Sequence, residues 1–270
     1  MPKVVHKKTF CETITSKMLR TRVIPCLLLQ GRGLVKTVEF GDPTYVGCPI
    51  NAVRIFNERE VDELIFLDIL AGKENKRPPF GIISEIATEC FMPFCYGGGI
   101  RSLEDIQTIF ALGAEKIAIN SYAIDNPDFV REASNKFGSQ SIVISIDVKR
   151  NVFGKNKVFT HARNRNTDLD PVEFAVQMER MGAGELLLNS VDRDGTMQGY
   201  DIGLLREVCS AVGIPVIACG GGGELQDFAE AVHKGGASAV AAGSIFLFYG
   251  KHRAVLIQYP TQSDLTKVLL

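Results

Sequence analysis

The chain repeats itself across a fixed interval. Moved along by 122 positions, Pro93–Ser121 falls on Pro215–Gly243 without a gap. Pro93 meets Pro215, Gly98-Gly99 meets Gly220-Gly221, Leu103 meets Leu225, Asp105 meets Asp227 and Gly113 meets Gly235. The same shift puts Glu63-Leu64 on Glu185-Leu186. Solenoid units run to roughly 20–50 residues, so an interval this long is half of a domain. Each copy reads as strand, glycine-rich loop, helix, strand. Two glycine loops at equivalent places imply two anion sites facing one cavity, and a ligand with a phosphate at each end.

At 270 residues the chain fits one (βα)8 domain or two smaller domains. Apolar residues make up 46% of it, ample for a core, and the net charge is −1. That balance gives no nucleic-acid surface and no polybasic membrane patch. No apolar run approaches the ~20 residues of a membrane span. Met1–Lys17 is polar and lacks an apolar segment of signal-peptide type. Met18 is a candidate original start. Residues 1–17 then form an N-terminal extension, and residues 18–270 a single barrel domain of a cytoplasmic protein. Cys11, Cys26, Cys48, Cys90, Cys95, Cys209 and Cys219 include no CxxC pair. They read as buried thiols in a reducing compartment, against disulfides or zinc. The four histidines lack metal-ligand spacing, so neither a metal nor a cofactor is expected.

Short apolar runs alternate with amphipathic stretches. Strands are predicted at Val23–Leu29, Glu63–Asp68, Pro93–Tyr96, Lys116–Asn120, Ile142–Asp147, Glu185–Ser190, Pro215–Cys219 and Ala239–Gly243. Continuous Val/Ile/Leu/Ala runs suit strands buried on both faces. Helices are predicted at Leu103–Leu112, Pro127–Lys136, Pro171–Met181, Gly203–Val212 and Leu225–Lys234. Ser102 and Asp170 are candidate caps, and Gly113, Gly182 and Gly235 candidate stops. Eight strands with intervening helices read as a (βα)8 TIM barrel of two half-barrels. A doubly wound sheet does not explain glycine loops after both the third and the seventh strand. Gly31–Pro49 and Arg150–Asp168 are long loops at carboxyl ends of strands, hence lid candidates.

Gly97–Gly99 and Gly220–Gly223 each leave a strand and enter a helix. Glycine brings backbone N–H groups close to an anion, and the helix dipole favours it. A tight turn without a ligand is the plain alternative. Asn120-Ser121 and Gly243-Ser244, one strand later in each half, supply further donors. Asp194, Gly195 and Thr196 follow the sixth strand, as ligand contacts or as Asp-Gly turn chemistry. Asp147 ends the fifth strand, where a carboxylate after an apolar run can act as general acid or base. It can instead pair with Lys149 or Arg150. Arg22, Glu63, Lys116 and Glu185 start the first, second, fourth and sixth strands. They converge at the bottom of the barrel as a salt-bridge plug or a gate.

Together, Arg22–Leu27, Asp62–Asp68, Gly97–Ile100, Ile119–Ser121, Ile146–Arg150, Asp192–Thr196 and Gly199–Asp201 resemble the cyclase subunit of imidazole glycerol phosphate synthase. The resemblance runs from about Met18 to Phe248. It implies a barrel docked on a class I glutaminase subunit, which sends ammonia through the barrel to a bisphosphorylated ribonucleotide. It places Gly99, Asn120, Asp194, Gly221 and Ser244 in two phosphate sites. It makes Arg22, Glu63, Lys116 and Glu185 the ammonia gate, Asp147 one of two catalytic aspartates, and Lys36 a lysine of a mobile first loop. The second aspartate is replaced by Leu28, and leucine cannot transfer a proton. Asn189 and Cys219 stand where the family has small hydroxyl residues. Gly250–Pro260 stands where it has its last helix.

A kept bottom and an altered top resemble the cyclase-like proteins of surface-polysaccharide (O-antigen) clusters. Those work with a glutaminase and a sugar amidotransferase to form acetamidino sugars. That is the first expectation. A histidine-pathway cyclase is the second, and a ligand-binding, non-catalytic activator of the glutaminase the third.

Overall fold

Runs of Val, Ile, Leu and Ala with no polar face must be covered on both sides, and a closed parallel sheet wrapped by helices does this. The computed structural model describes residues 20–250 and 252–270; the extension expected over residues 1–17 lies outside them. Eight parallel strands follow one another: β1 (Arg22–Gln30), β2 (Leu64–Asp68), β3 (Phe94–Gly97), β4 (Lys116–Ile119), β5 (Ile142–Arg150), β6 (Glu185–Ser190), β7 (Val216–Cys219) and β8 (Ala239–Ala242). Neighbours pair in that order, and β8 pairs with β1, closing a barrel. All eight strands were legible in the sequence.

The helices outside are α1 (Pro49–Glu58), α2 (Phe80–Glu89), α3 (Leu103–Ala111), α4 (Pro127–Phe137), α5 (Pro171–Arg180), α6 (Ile202–Ala211), α7 (Leu225–His233) and α8 (Gln262–Leu269). Each buries one stripe, such as Phe129, Val130 and Ala133 of α4. The 122-residue shift carries β3 onto β7 and α3 onto α7 end to end. Ser102 caps α3 by accepting from the Asp105 N–H, and Asp170 caps α5. Gly113 and Gly182 take the positive φ of helix stops. After α7, however, that conformation falls on Gly236, one residue beyond the expected Gly235.

Three segments depart from expectation. Gly31–Pro49 is no open loop: Gly33–Lys36 folds back antiparallel on β1 and pairs with Thr44–Gly47. Within Arg150–Asp168, Asn156–Thr160 returns antiparallel along the end of β5. The last helix is displaced rather than lost. Phe248–Tyr249 and Ala254–Val255 form a small hairpin, and α8 follows, packed on α7. Buried Tyr259 donates to the Val23 carbonyl at 2.8 Å and pins this tail to β1. The six described cysteines are free, but Cys48 is exposed rather than buried.

Candidate functional site

The carboxyl ends of the strands enclose a cavity of about 590 Å³, lined by apolar and polar groups together. Asp147 of β5 lies on its wall and is 6% exposed. Register sets Asn189 of β6 directly beside it. The Asn189 amide donates to Oδ1 at 3.0 Å, and the Asn120 amide to Oδ2 at 3.1 Å. No cation salt-bridges Asp147 among the described residues. Burial therefore dominates and pushes its pKa up to about 7; the nearby Asp194 carboxylate adds to this, while the two amides act against it. Such a group exchanges a proton near neutral pH. The expected pairing with Lys149 or Arg150 is not made: Arg150 meets Asp201, and the Lys149 ammonium lies over the Phe159 ring.

Leu28 of β1 lines the same cavity, so the missing carboxylate is missing from the site itself. Its cross-strand neighbours are Leu67 and Val35.

Lys36 and Asp194, assigned separate roles on resemblance, form one ion pair. Lys36 Nζ lies 2.9 and 3.0 Å from the Asp194 oxygens, and the Thr37 hydroxyl adds a bond at 3.1 Å. Lys36 is buried at the end of a strand rather than in an open loop. Glu39 N–H donates to the Asp194 carbonyl, tying the first-strand hairpin across the mouth. Phe40 then packs edge-on against Phe159 and His161 of the β5 hairpin, so the two lid candidates meet as one cover. Burial holds His161 below the usual imidazole range, in its neutral form.

The two glycine loops flank this cavity. Gly98, Gly99, Gly220 and Gly221 all have positive φ. A Cβ on Gly99 would lie 2.6 Å from the Lys76 carbonyl oxygen, and one on Gly221 only 2.1 Å from that of Gly199. Packing alone thus demands glycine at both places. The ligand signal is different: among the described residues, the N–H groups of Gly99 and Gly221 meet no acceptor. Both line the cavity, with Ser121, Gly195, Gly243 and Ser244. Asn120, expected at a phosphate, spends its amide on Asp147 and the Ser145 carbonyl instead. Ser121 donates to Asn120 and anchors the β5 hairpin through Thr160 and Ala162.

At the opposite end the four expected charges meet. Arg22 bonds both Glu63 and Glu185, and Lys116 Nζ lies 3.1 Å from Glu63 and 2.9 Å from Glu185. Burial works against both cations, but the two carboxylates outweigh it and raise both pKa values. Between ring and cavity the barrel is filled by Ile24, Cys26, Cys95, Ala118, Ala239, Ala241 and larger aliphatics.

Two contributors were not assigned from the sequence. Asn189 was legible only as a departure from family pattern; its strand-end position next to Asp147 was the available signal. Arg253 donates to the Gly195 carbonyl and approaches Ser244, and nothing in its local sequence points there.

The chain matches the model of the family described as histidine biosynthesis protein over residues 22–253. It is 53% identical over 248 residues to a Pseudomonas aeruginosa protein provisionally named imidazole glycerol phosphate synthase subunit hisF2, covering 92% of this chain and 99% of that one. A Leptospira borgpetersenii protein, provisionally named imidazole glycerol phosphate synthase subunit HisF, is 46% identical over 92% of this chain and 98% of its own. A Vibrio vulnificus protein provisionally named imidazole glycerol phosphate synthase subunit hisF3 is 44% identical over 94% of this chain and 98% of its own.

Proposed function

This chain belongs to the histidine biosynthesis protein family, and from that premise we propose that it is the cyclase-type subunit of an imidazole glycerol phosphate synthase-like complex. It takes ammonia from a glutaminase partner docked at the amino-terminal end of the barrel. It uses that ammonia on a bisphosphorylated ligand held across the carboxyl end. The observation that carries this reading is Asp147: a buried carboxylate with a pKa raised to about 7, on the wall of a cavity flanked by two glycine loops. The unbonded N–H groups of Gly99 and Gly221 support one phosphate in each half. The Lys36–Asp194 pair supports an anion nearby, because a bare carboxylate there would repel it. Above the charged ring the interior is apolar, which favours neutral ammonia over ammonium. Residues 18–270 act as one unit in this reading.

Within the cavity, Asp147 exchanges protons with the ligand at the reacting centre. Asn189 and Asn120 fix its two oxygens. Leu28 leaves the opposite wall without a second proton-transfer group. That observation supports a second reading, in which the ammonia goes to another acceptor, as in acetamidino-sugar formation with a sugar amidotransferase. The names of the relatives favour the cyclase. A non-catalytic activator is the reading that a raised Asp147 pKa supports least.

The test is ammonia-dependent turnover of the bisphosphorylated cyclase substrate by the purified chain, at saturating ammonium and without a partner. Turnover is expected. Binding without turnover would transfer the assignment to the second reading, and absence of binding would contradict both phosphate sites.

A further inference from the structure

The two halves match in their glycine loops but differ in their cations. In the first half, Arg101 stands two residues beyond Gly99 and lines the cavity. The 122-residue shift puts Gly223 at the equivalent place in the second half, so that loop carries no arginine. Lys36 is the cation beside Gly243, and its charge is taken by Asp194. The second half does place Arg193 beside Gly221, but its guanidinium donates to the Gln198 and Gly199 carbonyls and does not line the cavity.

The tail supplies a further cation. Arg253 sits at the end of the turn joining Phe248–Tyr249 to Ala254–Val255, with a left-handed φ of 51°. Its guanidinium lies over the Phe248 ring, 4.7 Å from the centroid. One nitrogen donates to the Gly195 carbonyl at 3.2 Å, and another reaches the Ser244 hydroxyl at 3.4 Å. Both partners line the main cavity. Arg253 also lines a side pouch that shares Lys36 and Thr37 with that cavity; Asp42 is the carboxylate in the pouch lining. No salt bridge joins Arg253 to any carboxylate among the described residues. Two of its five N–H donors are used, one weakly, so several remain for an anion.

We propose that Arg253 completes the second phosphate site, its guanidinium supplying from the tail the cation that Arg101 places on the cavity wall beside the first loop. Ser244 accepts from Arg253, which leaves the serine proton to point at the same phosphate. A guanidinium, a hydroxyl and the Gly221 N–H are all donors suited to a phosphate oxyanion. The inference rests on the reading of the glycine loops as phosphate sites.

The test is a titration of the full chain with inorganic phosphate, followed by ³¹P NMR at fixed ionic strength, for wild type, Arg253→Ala and Arg253→Lys. Wild type should bind two phosphates. Arg253→Ala should weaken one of them about tenfold or more, the value of a charge-assisted hydrogen bond. Arg253→Lys should recover part of the loss, and added guanidinium ion should partly rescue Arg253→Ala. Equal binding by wild type and Arg253→Ala overturns the inference and leaves the loops intact. A weakened site with no rescue by lysine or guanidinium also overturns it, because the loss is then structural. No phosphate binding by wild type overturns the underlying reading instead.

Discussion

At the amino-terminal end of the barrel, Arg22 and Lys116 each bond both Glu63 and Glu185, so every charge has an opposite partner inside the protein. At the carboxyl end, Asp147 is held by two neutral amides and no cation. Ionisable side chains stand at strand ends in both places. The difference lies in whether the chain completes their charges. A completed ring holds one arrangement and keeps its two cations charged. An uncompleted, buried carboxylate on the cavity wall has its proton equilibrium near pH 7 and responds to whatever binds beside it.

The strongest way to break this contrast is Asp147→Asn. It keeps the shape and removes the titration, so ammonia-dependent turnover should fall on the order of 100- to 10,000-fold. The same variant checks the energetics. An ordinary carboxylate titrates at about 3.9 in the unfolded chain, against about 7 for Asp147 in the fold. The fold therefore binds this proton more tightly. The resulting stabilisation is present below about pH 4 and is lost as pH rises through about 7. Wild type should lose melting temperature over that range, and Asp147→Asn should lose less. The slope is the readout, since asparagine also sets an N–H against one of the two amide donors.

At the other end, Arg22→Ala leaves two carboxylates facing one lysine. Unfolding in urea should show a loss on the order of 3 kcal/mol, below the fully buried limit because the arginine side chain keeps 29% exposure. With the glutaminase present, less of the hydrolysed glutamine should appear as product. Unchanged coupling would make the ring a structural plug. Leu28→Asp sharpens the contrast at the top: it should raise cyclase turnover about 100-fold, the lower end of a proton-transfer contribution. No change would favour a different ammonia acceptor. The smallest effect belongs to Tyr259→Phe, which removes one buried bond to Val23 near the ring. It should cost about 1 kcal/mol in unfolding and leave turnover alone.

Much of this molecule was legible in the sequence because its signals are local or periodic. Apolar runs gave the eight strands, and the 122-residue shift tied β3–α3 to β7–α7. The four ring charges were visible because strand starts meet in any barrel. What was hidden depends on contacts between distant residues. Lys36 and Asp194 are 158 positions apart, and no spacing rule joins them. Asn120 was assigned to a phosphate, but the register that brings β4 and β5 together turns its amide to Asp147. The hairpins after β1 and β5 were read as loops because their strands are short and continue beyond the apolar runs. The displaced last helix did carry a signal: Thr261 caps α8 through the Asp264 N–H, three residues on.

The central claim is that Asp147 is the unfinished charge of this barrel. The most direct measurement is a pH titration of the purified chain with its aspartate carboxyl carbons labelled with ¹³C, the Asp147 signal being assigned by its loss in Asp147→Asn. A midpoint near 7 is predicted. A midpoint near 4, the ordinary carboxylate value, would mean that the top of the barrel completes its charges as the bottom does, and would contradict the account.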